Sequence, residues 1–116
     1  MSEHNKINYL EIPSQDLAIS KAFFKSVFGW GFIDYGREYT CFTNAGITGG
    51  FYLSNQQAQT QHGSVLMVMY SDNLSDTEQK IIAANGQITK PTFSFPGGQR
   101  FHFSDPNGNE YAVWTE

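Results

Sequence analysis

Apolar and polar positions run through two rhythms along the chain, and the pair of rhythms occurs twice. Residues 6–12 alternate with a period of two, which predicts a strand ending at Pro13. Ser14, Gln15 and Asp16 offer oxygens for capping a helix, and apolar residues at 17, 19, 23, 24, 27 and 28 then follow a helical spacing. Gly29 is the expected stop. Strands are predicted at residues 30–35, 39–43 and 47–53, with turns at 36–38 and 44–46. The adjacent Gly49 and Gly50 point to a bulge or a close backbone approach.

Residues 54–63 are polar and without period, which marks a connector between two halves. The second half then repeats the plan. A strand is expected at 64–70. Ser75-Asp76-Thr77-Glu78 matches a capping box, Ile81 and Ile82 supply an apolar helix face, and Gly86 closes the helix. A short stretch at 87–89 leads into a predicted loop region holding Pro91, Pro96, Gly97 and Gly98. A strand follows at 99–104, and then the turn Asp105-Pro106-Asn107-Gly108-Asn109. In that turn Pro106 fixes φ, Asn107-Gly108 accepts positive φ, and the Asp105 and Asn109 side chains can bond nearby amides. A last strand ends near Trp114. An offset of 57 residues carries Ser14 onto Ser71, Asp16 onto Asn73, Leu17 onto Leu74 and Gly29 onto Gly86. The prediction is an α+β fold in one domain spanning 1–116. It is built from two βαβββ modules at about 6–53 and 64–115. Each sheet has one face under its helix and one face free to pair into a cup.

Composition narrows the partners. Hydrophobic residues make up 40% of the chain and aromatics 16%, against 16% charged, which suits a packed core and an aromatic-lined cleft. The net charge is −4 with no basic cluster, so nucleic acid and anionic membranes are not expected partners. Cys41 is the single cysteine, excludes an intrachain disulfide and fits a reducing compartment. Its strand-like surroundings favour a packed small residue over a nucleophile. No apolar run approaches the ~18 residues of a membrane span, and a cytoplasmic protein is expected.

The order βαβββ–βαβββ, the stretch Tyr9-Leu10-Glu11-Ile12-Pro13, the helix end Ala22-Phe23-Phe24-Lys25-Ser26-Val27-Phe28-Gly29-Trp30 and the Asp105–Asn109 turn together resemble the vicinal oxygen chelate superfamily. That group holds glyoxalase I, extradiol dioxygenases, and fosfomycin- and bleomycin-resistance proteins. The small glyoxalase-related members are the most alike, and the resemblance covers nearly the whole chain. It implies the paired cup and a homodimer. In catalytic members it also implies a divalent metal held by His, Gln or Glu from four strands, acting as a Lewis acid. Mapped onto this chain, those positions are Tyr9, Leu66, Ala112 and a position on the fourth strand that is usually Glu. No Asp, Glu or His lies between Tyr39 and Gln61. Leu66 and Ala112 carry no donor, and a neutral phenol is a poor ligand. No metal and no other cofactor is therefore expected.

Strand alternation places Tyr9 and Glu11, Leu66, Val68 and Tyr70, and Glu110, Ala112 and Trp114 on the cup face. His102 alternates with Phe101 and Phe103, so either the histidine or the phenylalanines join them. Trp114 and Tyr70 equally suit a core or an interface, and His4 and His62 suit the surface. The resulting aromatic cavity with two carboxylates suggests a binder of a small aromatic or cationic molecule, like the bleomycin-resistance proteins. The alternative is a glyoxalase-related lyase or isomerase with Glu11 or Glu110 as general base and Tyr9 as hydrogen-bond donor. A third reading is an accessory subunit whose cup is filled by its own side chains.

Overall fold

The computed structural model describes residues 2–116. Strand β1 (Leu10–Ser14), helix α1 (Leu17–Phe28) and strands β2 (Gly31–Asp34), β3 (Tyr39–Thr43) and β4 (Gly49–Leu53) form the first module. A 3-10 turn, Thr60–His62, interrupts the connector. Strand β5 (Met67–Tyr70), helix α2 (Leu74–Ala83) and strands β6 (Gln87–Phe95), β7 (Gly98–Ser104) and β8 (Glu110–Thr115) form the second. The sheets have orders β1-β4-β3-β2 and β5-β8-β7-β6, the same permutation twice. In each, the first and last strands of the module pair in parallel and the other neighbours are antiparallel.

Helix α1 occupies the predicted residues because both ends are chemically marked. The Asp16 carboxylate accepts from the Ile19 amide at 3.2 Å. Gly29, at φ 74°, takes the left-handed conformation that a side chain disfavours, and its amide reaches back to the Lys25 and Phe24 carbonyls. Helix α2 starts where the 57-residue offset places it, with Leu74 first, but departs from the expected capping box and the expected Gly86 stop. Its cap is Asn73, whose Oδ1 accepts from the Asp76 amide at 3.0 Å. Ser75 already lies in the first turn, so the expected capping box does not form. At the other end Asn85 supplies the left-handed residue at φ 71°. Gly86 is required instead by packing, since a Cβ there would meet Ile81 at 2.6 Å and the Phe23 ring at 3.0 Å.

Residues 90–95, expected as loop, belong to the long strand β6. It is an edge strand bonded only to β7, where Pro91 need not donate, and its register with β7 shifts between Ile88 and Lys90 and again between Lys90 and Phe93. The glycine pair at 49–50 produces a close approach without a bulge in either ladder.

The core lies between the modules and is organised by α1. Phe24 is fully buried, stacks on Trp30 at 4.6 Å, and meets Phe51 of β4 at 5.5 Å and Tyr111 of β8 at 5.1 Å. Phe23 approaches Phe103 of β7 at 6.0 Å. Helix α2 buries only Ile81. The Asp105 turn fastens the halves together. The Asn107 amide group donates to Ser14 Oγ, Ser20 Oγ and the Asp16 carbonyl, and Asn109 Nδ2 donates to the Pro13 carbonyl. Asp105 behaves as expected, accepting from the Asn107 and Asn109 amides. Asn109 instead serves distant backbone, accepting from Ala58 N. No helix among the described residues is long and apolar enough to cross a membrane.

Candidate functional site

On the first sheet, register aligns Glu11 and Cys41 with Gly50, so these share the face turned away from the core. Tyr9, just before β1, joins this face through its phenol. The Tyr9 hydroxyl lies 2.5 Å from that of Tyr39 and 3.1 Å from Cys41 Sγ. Tyr39 reaches it by lying across Gly50, where a Cβ would stand 2.6 Å from the Tyr39 hydroxyl. Burial, then the bonds to Tyr9 and Glu11, push the Tyr39 phenol well above its ordinary pKa. Tyr9 is raised as well, by burial and then by its bond with Cys41. Both phenols are neutral at physiological pH.

On the second sheet, Val68 and His102 flank Ala112, Tyr70 and Arg100 flank Trp114, and Ser104 faces Glu110. The phenylalanines at 101 and 103 turn into the core and leave His102 on the outer face. His102 Nδ1 stands 3.0 Å from Glu110 Oε2. The other carboxylate oxygen accepts from the Thr60 amide at 2.8 Å and the Thr60 hydroxyl at 2.9 Å. Burial alone would raise the Glu110 pKa, but the bonds from His102 and Thr60 outweigh it and hold the carboxyl below its ordinary value. An ionised carboxylate only accepts, so Nδ1 carries the imidazole proton and faces Glu110. His102 Nε2 is buried without a partner.

These residues do not collect in one cavity. Glu11 and Glu110 meet in a cleft of about 640 Å³ between β1, the connector and the start of β8, together with Tyr52, His62, Met67 and Tyr111. Leu66, Val68 and Tyr70 line a wider cleft of about 1180 Å³ that opens beside β1 toward Trp30 and Phe42. His102 and Glu110 border a third, of about 580 Å³, against Gln59, Thr60 and Lys90. Ala112 is fully buried, and Trp114 packs on Tyr70 at 5.3 Å and Phe95 at 6.3 Å.

The comparisons match this architecture. The model of the Glyoxalase/Bleomycin resistance protein/Dioxygenase superfamily matches residues 6–113. The chain belongs to this superfamily. No curated protein matches it. Among solved structures, a glyoxalase-related enzyme from Fulvimarina pelagi superposes with TM-score 0.77 at 19% identity, covering 97% of this chain and 88% of that one. The genomically encoded fosfomycin resistance protein of Listeria monocytogenes gives 0.77 at 16% identity, covering 98% and 95%. Lactoylglutathione lyase from Agrobacterium tumefaciens gives 0.69 at 18% identity, covering 98% and 96%. At these identities the likeness is one of fold, and the superfamily fold carries several chemistries.

A superfamily-type metal does not fit the residues present. The Tyr9 oxygen is engaged by Tyr39 and Cys41, Leu66 and Ala112 offer no donor, and the outward position on β4 beside Glu11 is Gly50, overlain by Tyr39. Among the described residues no group of three or more His, Cys, Asp or Glu converges. The roles of Tyr39, Thr60 and Tyr52 were not visible in the sequence. The His102–Glu110 pair had a signal: counting outward from the Asp105–Asn109 turn sets Ser104 opposite Glu110 and brings His102 diagonally beside it.

Proposed function

We propose that this glyoxalase/bleomycin-resistance-like protein binds a small molecule with an aromatic body and a cationic group, in the cleft shared by Glu11 and Glu110. One observation carries the reading: two carboxylates from different modules line a single cleft whose other walls include Tyr52, Met67 and Tyr111. Its volume of about 640 Å³ lies within the ~300–1,000 Å³ of small-molecule sites. Glu110 suits the role because His102 and Thr60 keep it ionised. The same bonds make it a weak base, which disfavours the reading of a lyase or isomerase with Glu110 as proton acceptor. Apolar side chains exposed on the outer faces, such as Ile33 and Tyr70, support a homodimer, which light scattering of the purified chain tests.

Calorimetry with benzylammonium, and with benzyl alcohol as its neutral counterpart, tests the ligand class. Saturable binding of the cation alone, weakened about tenfold or more in Glu11→Gln, is the expected result. Equal binding of both compounds, or none of the cation, sinks the reading.

A further inference from the structure

The outer face of the second sheet carries a second cluster, of opposite charge. Lys90 Nζ lies 4.4 Å from the centre of the Phe93 ring, and the Arg100 guanidinium carbon lies 5.3 Å from the same centre and 5.6 Å from that of Phe95;. His102 packs against Phe93 as well, at 6.0 Å. Both cations lie against one ring, and among the described residues neither is paired with a carboxylate. The cluster also holds two buried nitrogens without partners, Arg100 Nε and His102 Nε2. An arginine Nε–H is a permanent donor, and a buried donor without an acceptor is costly. Phe93, the ring that holds the cluster, pairs with Arg100 just after the second register shift of β6.

We propose that Lys90 and Arg100 form a binding site for a small oxyanion, a carboxylate or a phosphate group. Such a group gives the two unpaired cations a counter-charge. The flanking Phe93 and Phe95 rings give the remainder of the molecule an apolar wall. The site lies apart from Glu11, while Glu110 borders both it and the cation cleft.

The test is a titration of the full chain with inorganic phosphate and, separately, with acetate, each against chloride at constant ionic strength. The arginine Nε–H region of the NMR spectrum is the readout. The Arg100 signal is expected to move saturably with at least one of the oxyanions. Phosphate as the stronger ligand identifies a phosphoryl group, and acetate a carboxylate. Affinity should fall about tenfold or more in Lys90→Gln and in Arg100→Gln. It should be unchanged in Glu11→Gln, which separates this site from the cation cleft. Lys90 is exposed, so its substitution leaves packing intact even if Arg100→Gln fails to fold. Non-saturating shifts equal to those with chloride, or undiminished affinity in Lys90→Gln, overturn the proposal.

Discussion

The starts of the two helices show what repetition preserves and what it does not. In the first module Ser14 Oγ and Ser20 Oγ are 2.8 Å apart; in the second, Ser71 Oγ and Thr77 Oγ1, each 57 residues on, are also 2.8 Å apart. Asp16 and Asn73 cap the same turn in the same way. The surroundings then diverge. The first hydroxyl pair is fully buried and receives Asn107 from the other module, whereas the second is half-buried and Ser71 turns to the Asn73 amide. Further along, Phe24 and Ile81 are also 57 residues apart, and both are fully buried. Yet Phe24 touches both sheets and Ile81 is the only buried residue of its helix. Local chemistry is repeated, while the task of joining the halves falls to one copy.

Paired substitutions break or sharpen this contrast. The largest effect is expected at the helix centres. Phe24→Ala should destabilise by ~3–5 kcal/mol and Ile81→Ala by less, measured by urea denaturation. Equal losses would mean that α2 carries as much of the core as α1.

Next comes the fastening turn. Burial raises the Asp105 pKa to about 6 against bonds from Tyr111, Asn109 and Asn107 that lower it. The folded state therefore holds this proton more tightly than the unfolded chain, whose value is near 3.8. Stability from this group is present below about pH 4 and declines as pH rises to about 6, by ~3 kcal/mol in all. Asp105→Asn keeps an acceptor for the two amides and removes the titration. The difference in Tm between it and the parent should change between pH 4 and 6 and stay flat above. A difference independent of pH would refute the assignment.

Asn107→Ala removes the amide donor that serves two buried hydroxyls and the Asp16 carbonyl and should lose ~1–3 kcal/mol. Asn44→Gly, in the exposed turn of the first module, keeps the φ of 60° without strain and should lose under ~0.5 kcal/mol. The caps come last. Asp16→Ala and Asn73→Ala should each lose ~1 kcal/mol, with closely similar Tm shifts, because the local geometry is shared.

Much of this was legible where one residue settles the local outcome. Asp16 and Gly29 bounded α1, and the 57-residue offset announced the duplicated topology. Pro91 misled because its meaning depends on whether the strand holding it lies at an edge. Ser75 misled because Asn73, two residues earlier, also caps and sits directly before the first helical residue. The site was less legible than the fold. The faces of the β5, β7 and β8 residues followed from alternation, but Thr60 reaching Glu110 and Tyr39 reaching Tyr9 depend on how the connector and β3 return over distant strands. The gathering of Lys90 and Arg100 on Phe93 required the register shifts of β6, which no periodicity announces.

The phenol ring lying over Gly50 also bears on what this protein could become. A carboxylate introduced at position 50 would collide with Tyr39, so a metal centre cannot be rebuilt there one substitution at a time beginning with the ligand. Shortening Tyr39 relieves only part of the clash, because the Thr40 carbonyl oxygen would stand 2.7 Å from the same Cβ, and the step breaks the Tyr9 contact and brings no coordination of its own. For directed evolution this separates the present site from a metal centre, and a library that varies position 50 alone would search on the wrong side of it.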